Sequence, residues 1–354
     1  MLTLTQRAVA AVGPDEPAKD WRLRPLEHAA TLPSDAQPLK VVLQSPAVQN
    51  IMSTFVADDA AAVAAQAVYK RAGHWGLKLA TAAAIIGALF LLPFETWFGD
   101  TARSAALAAQ FVALAGAMAA SRYLIWKRPF DTWMKARGRA EIARVALFDA
   151  VMAADGPVTP NEIPLLPLQL EYFRRYQLSV QRNYYSGQGS KHQSAAGASR
   201  AWQLLSVLVT ALASVIIVTG LIDWLVATHV PLPDPVSRAA DWIKAWRPPW
   251  SDRALLAAGI VSSALYSFAS SRSLMNLDER NASRYLTNAE NLQYLTETGL
   301  DAARVAAADG RPEEVNRFVQ SVQGLVSSEH KEWVLLREIL PIPNPRLAQM
   351  RRPL

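Results

Sequence analysis

Apolar residues along this chain gather into four uninterrupted runs, at roughly Leu79–Phe98, Ser104–Ile125, Leu204–Val226 and Ala254–Ser271. Each approaches the ~20 residues that a helix needs to cross hydrocarbon. The stretches Leu79–Phe94, Ser104–Ser121, Leu204–Ile222 and Ala254–Ser271 contain no Lys, Arg, Asp or Glu, and a buried helix of a soluble protein rarely runs so long without a charge. The pattern predicts an all-α integral membrane protein whose four transmembrane helices form two hairpins. For the fourth run alone, a core helix is the alternative reading.

Outside these runs the period stays helical. Ser45 caps a helix with Pro46 at its first position, and the segment AVQNIMSTFVADDAAAVAAQAVYKRAGHW runs without proline into the first span. After the second span, Trp133, Ile142, Val145 and Phe148 give a helix an apolar side until Gly156-Pro157 ends it. A further helix starts near Leu165, where Leu168, Tyr172, Tyr176 and Leu178 or Ser179 alternate with Arg174, Arg175 and Arg182 as on an amphipathic surface. Beyond the fourth span, one long helix is expected up to Gly310 and two shorter ones up to Pro341.

Five segments follow from this pattern. Residues 1–44, with Pro14, Pro17, Pro25, Pro33 and Pro38 and no sustained apolar period, read as a flexible tail or peripheral lid. Residues 45–156 form a first two-span unit, residues 157–167 a Pro-rich linker, residues 168–340 a second two-span unit, and residues 341–354 a C-terminal tail. The halves show a weak internal repeat: HWGLKLATAAAIIG aligns with AWQLLSVLVTALAS entering each pair, and ARGRAEIARVALFD with DERNASRYLTNAEN leaving it.

Composition adds that the membrane portion is the smaller one. The 354 residues are 51% hydrophobic, but mean hydropathy is only +0.08, and four spans use about 80 residues at ~20 each. The remainder is expected as long cytoplasmic helices forming a bundle. Lys70, Arg71 and Lys78 precede the first span, and Arg122, Lys127, Arg128, Lys135, Arg137, Arg139 and Arg144 follow the second, while the loop between carries only Arg103. That asymmetry puts both ends of the first pair in the cytoplasm. Arg182, Lys191, Arg200, Arg272, Arg280 and Arg284 flank the second pair similarly, although its loop holds Arg238, Lys244, Arg247 and Arg253. No signal peptide is read at the N-terminus, so the expected location is the bacterial inner membrane, multi-pass, with both termini cytoplasmic.

Candidate chemistry is sparse. There is no cysteine, no glycine-rich phosphate loop, no G-x-S-x-G elbow and no H-E-x-x-H. His330, between Glu329 and Glu332, has no second ligand cluster, and reads as packing and hydrogen bonding. The expectation is a protein that is not an enzyme, with no cofactor and no direct nucleic-acid partner. Trp242, Trp246 and Trp250, beside Arg238, Lys244 and Arg247, suit an interfacial segment with indoles at headgroup level. Ser263, Ser267 and Ser270 lie along one side of the fourth run and Thr210 and Ser214 along one side of the third; Gln110 is a polar residue within the second. These are candidate pore-lining residues. Such stripes either hydrogen-bond between helices or line a hydrated path, and the absence of intramembrane charge argues against a proton-coupled carrier.

The layout resembles the SLATT family, the SMODS- and SLOG-associating two-transmembrane effector domains. The residues that carry the likeness are Arg182, Tyr184, Tyr185 and Lys191 before a hairpin, and Asp278, Glu279, Arg280, Asn281, Arg284 and Tyr285 after it. Glu329, His330, Glu332 and Trp333 close the match. It covers residues 165–340 best and 46–155 more faintly, as a diverged first copy. The resemblance implies a homo-oligomer in the lipid bilayer that permeabilises the cell's own membrane when a cytoplasmic nucleotide-sensing partner protein signals infection. The alternative is a non-conducting helical scaffold that docks a cytoplasmic partner.

Overall fold

The computed structural model describes residues 3–14, 23–156, 160–228, 233–236, 238, 241–242 and 251–339, with the backbone alone for 94–95, 212–213, 215–227, 251–252 and 329–339. Among the described residues every regular element is helical, so the all-α class holds.

Three short helices come first: α1 (Leu4–Val12), α2 (Pro25–Thr31) and α3 (Gln37–Gln44). Thr3 and Gln6 form a reciprocal capping box at the start of α1. Helix α4 (Pro46–Leu89) is continuous, as the sequence predicted, and α5 (Phe94–Lys127) returns after Pro93. The first apolar helix therefore ends near Leu89, short of Phe98, because Pro93 interrupts it and Gly99 breaks the start of α5 at φ 78°. Helix α6 (Pro129–Met152) follows. Then come α7 (Leu165–Phe173), a π-helical segment at Arg174–Ser179, and α8 (Val180–Ala227). The last elements are α9 (Ser251–Asn276), α10 (Asp278–Ala308) and α11 (Pro312–Ile339). The expected single helix up to Gly310 is broken at Leu277, and the expected pair before Pro341 is the one helix α11. Both apolar-to-polar transitions use a non-glycine residue in the left-handed region, Arg128 (φ 47°) before α6 and Leu277 (φ 52°) before α10. Neither carries a sequence signal, since glycine is the usual residue there.

Among the described residues, three helices, within Pro46–Leu89, Thr96–Lys127 and Arg253–Ala308, are long and apolar enough to cross a membrane. The Leu204–Val226 run is helical in α8, but its side chains beyond Ser214 lie outside the description, so a fourth crossing stands as an expectation of the sequence. Large apolar side chains are displayed outward: Phe111 and Met118 are each 73% exposed, as expected for helices solvated by lipid rather than by water.

The chain divides into two compact units. One comprises Met1–Ala67, Pro129–Lys191 and Ala282–Leu354; the other comprises Val68–Arg128 and His192–Asn281. In the first, α7 is the centre, with α1, α3, α6 and α11 packed on it. Its residues are buried on nearly every side, including Leu168, Leu170, Tyr172 and Phe173. The amphipathic reading of this segment is thus corrected: Arg174 turns inward as well. Glu171, 1% exposed, explains this, accepting from Arg174 Nε at 2.5 Å and from Arg304 Nε at 2.7 Å. Burial works against the Arg304 charge, but the hydrogen bond and negative charge of Glu171 prevail and raise its pKa. Arg174 also donates to the Gly13 carbonyl at 3.1 Å and Arg175 to that of Val12, so two guanidiniums satisfy the carbonyl end of α1.

The expectation of a flexible tail or peripheral lid over residues 1–44 is likewise corrected for the described ones, 3–14 and 23–44, which form packed helices. Ala8, Val12, Leu23, Ala29, Leu39 and Leu43 belong to the same core as α7. Helices of seven to nine residues supply too few apolar repeats to register as a period, and Pro25 and Pro38 sit at helix starts, where a missing N–H is harmless.

Candidate functional site

In the second unit, α9 presents Gly259, Ser263, Ser267 and Ser271 at four-residue intervals, which puts them on one helix face. That face borders a cleft of about 750 Å³. Thr210 and Ser214 from α8 and Thr81 from α4 complete its polar lining, with Leu77, Ala80 and Ala84 beside them. No lining residue is ionisable.

One position away, the hydroxyls do different work. Ser262, 1% exposed, donates to the Ser206 carbonyl and lies 2.7 Å from Thr210 Oγ1, which itself reaches the Ser206 carbonyl at 2.9 Å. Two hydroxyls hold two protons for these three contacts, so one donates to the carbonyl and the other to its neighbour. Gln203 Nε2 donates to Ser270 Oγ at 3.1 Å. Ser206 and Ser214 donate to carbonyls one turn back, those of Trp202 and Thr210, which satisfies their protons and leaves lone pairs available.

The sequence-predicted residues therefore separate. Ser263, Ser267, Thr210 and Ser214 meet at one cleft, whereas Ser270 is a tie between α8 and α9 and stands outside it. Gln110 is elsewhere, donating to the Ala83 carbonyl at 3.3 Å as a tie between α4 and α5. Thr81, Ser206, Ser262 and Gln203 were not singled out by sequence; isolated polar residues in apolar runs were the available signal. Trp242 is exposed, and Trp246 and Trp250 lie outside the described residues. Tyr185 stacks on Tyr285 at 5.7 Å, with Tyr184 edge-on to the same ring at 6.0 Å. Arg280 is exposed and Arg284 half-buried. His330 and Trp333 fall on the backbone of α11, and their side chains lie outside the description. His192 Nδ1 meets the buried Asp278 carboxylate at 2.7 Å, a pairing across a separation of 86 residues that local pattern does not reveal.

Among the described residues, no group of three or more His, Asp or Glu side chains is arranged to hold a metal ion. The cleft offers hydroxyl and carbonyl oxygens in an apolar surround. Such a lining can replace part of an ion's or polar solute's hydration, but has no group to relay a proton. No protein-family model matches the chain, and neither does any curated protein or solved structure.

Proposed function

We propose that this chain is a membrane effector of a bacterial nucleotide-linked conflict or anti-phage system, one that oligomerises and permeabilises the inner membrane when a partner sensor triggers it. The observation that carries the reading is the uncharged, hydroxyl-lined cleft built by Ser263, Ser267 and Ser271 of α9, a helix apolar enough to span a bilayer, with Thr210 and Ser214 of α8. In this reading both termini are cytoplasmic, as the basic flanks of the first hairpin favour, and the water-facing unit receives the signal.

Dye-loaded liposomes containing the purified protein test the reading, with and without cyclic nucleotides and the partner protein. Leakage is expected on triggering, and Ser263→Leu with Ser267→Leu should suppress it by closing the cleft with apolar bulk. Silence of verified, inserted protein under every trigger would favour the second reading, a non-conducting scaffold. That alternative rests on the first unit, whose own buried core gives a partner a stable helical platform.

A further inference from the structure

We propose that the basic end of the first hairpin is a docking surface for the headgroups of anionic phospholipids, selective over zwitterionic ones. Gly76 of α4 meets Ala120 of α5, where a Cβ on the glycine would stand 3.3 Å from the alanine Cβ. That crossing brings two cationic stretches to one end of the pair: Lys70, Arg71 and Lys78 from α4, and Arg122, Lys127 and Arg128 around the end of α5. No Asp or Glu occurs between Ala60 and Phe94, or between Thr101 and Phe130. Lys78, Arg122 and Lys127 are exposed.

Aromatic rings mark the depth. Lys78 Nζ lies 5.3 Å from the Trp75 ring centre and Lys127 Nζ 4.7 Å from that of Trp126, and both indoles are exposed, Trp126 at 73%. An indole beside an ammonium at the end of an outward-facing apolar helix is the arrangement of the headgroup layer, where ring and cation meet the phosphate level together. The opposite end of the hairpin has Glu95, Asp100 and Arg103, which gives no anionic attraction.

The corresponding part of the second helix pair carries carboxylates of its own. Arg200 pairs with Glu279 at 2.9 Å and His192 with Asp278 at 2.7 Å. Lys78, Arg122 and Lys127 are exposed cations in stretches of helix without Asp or Glu, and a lipid phosphate is the partner that both their charge and the neighbouring rings fit.

Thermal unfolding of the full-length protein in detergent, with added phosphatidylglycerol or phosphatidylcholine, tests the surface, together with native mass spectrometry of the retained lipid. Wild type should be stabilised by and retain phosphatidylglycerol preferentially. Lys78→Gln, Arg122→Gln and Lys127→Gln together should lower that preference about a hundredfold, at roughly fivefold per cation. Lys78→Arg with Lys127→Arg should keep it, and so should Arg200→Gln with Arg272→Gln, which removes two cations at the second pair. A preference unchanged in the triple variant, equal binding of both lipids by wild type, or equal stabilisation by inorganic phosphate would overturn the proposal. Liposome leakage is not the readout, so failure of the permeabilising role leaves this result distinguishable.

Discussion

The two units solve helix packing by opposite means. In the first, α7 buries its own large side chains, Leu168, Tyr172 and Phe173, the last two against Phe148 of α6, and the carboxylate of Glu171 is buried with them between Arg174 and Arg304. In the second, α4 and α5 touch through Gly76 and Ala120, and α8 and α9 through Ser206, Thr210 and Ser262. Water drives large apolar groups together, so a unit that faces water can build a core from them. Hydrocarbon gives no such drive, and helices there associate through close backbone approach and hydrogen bonds. The contrast is the one that a water-facing unit and a lipid-embedded unit would each show in their packing.

Glu171→Ala should cut deepest, because it removes the buried carboxylate shared by two guanidiniums, leaving the Gly13 carbonyl to Arg174 and the Asp301 carboxylate to Arg304. A loss of about 3–5 kcal/mol is expected, read as lowered thermal stability of the detergent-solubilised protein with early proteolysis of the N-terminal helices. If stability barely moves, the ion triad is not what holds the first unit. Gly76→Val should cost about 1–3 kcal/mol by overpacking, and Ala120→Gly should restore part of it; absence of rescue would disconnect the two positions. The smallest effect belongs to Ser262→Ala. Intramembrane hydroxyl bonds average about 0.6 kcal/mol, so a shift in unfolding midpoint barely above error is expected, and a large one would place that contact in an environment unlike lipid.

How much of this was legible in the sequence follows the same division. Apolar runs without charge are long-range, redundant signals, and α4, α5 and α9 emerged close to where the pattern put them. The register of the Ser face emerged too, since Ser263 and Ser267 keep a strict four-residue spacing. What escaped was set by tertiary partners. Arg174 reads as a solvent-facing residue until Glu171 and the Gly13 carbonyl are placed beside it, and Arg144, whose pKa burial pushes down, is enclosed with Gln177 and the Phe55 ring. The helices at 4–12, 25–31 and 37–44 were missed for a related reason: each is stabilised by the core it covers rather than by its own periodicity. Ser270 and Ser271 are neighbours of like chemistry, and only the position of Gln203 decides that one is a tie while the other lines the cleft.

The π-helical segment at Arg174–Ser179 has a consequence for how this chain tolerates change in length. A π turn accommodates one residue more than the α turn it replaces. Removing one residue there would return α7 and α8 to a single regular rod and leave every face beyond in phase. The same removal within α8 would rotate all that follows by about 100°, turning Thr210 and Ser214 away from Ser263. The chain carries a built-in spare residue at the root of its longest helix, and an ancestral or engineered sequence one residue shorter has a place to be shorter without losing alignment.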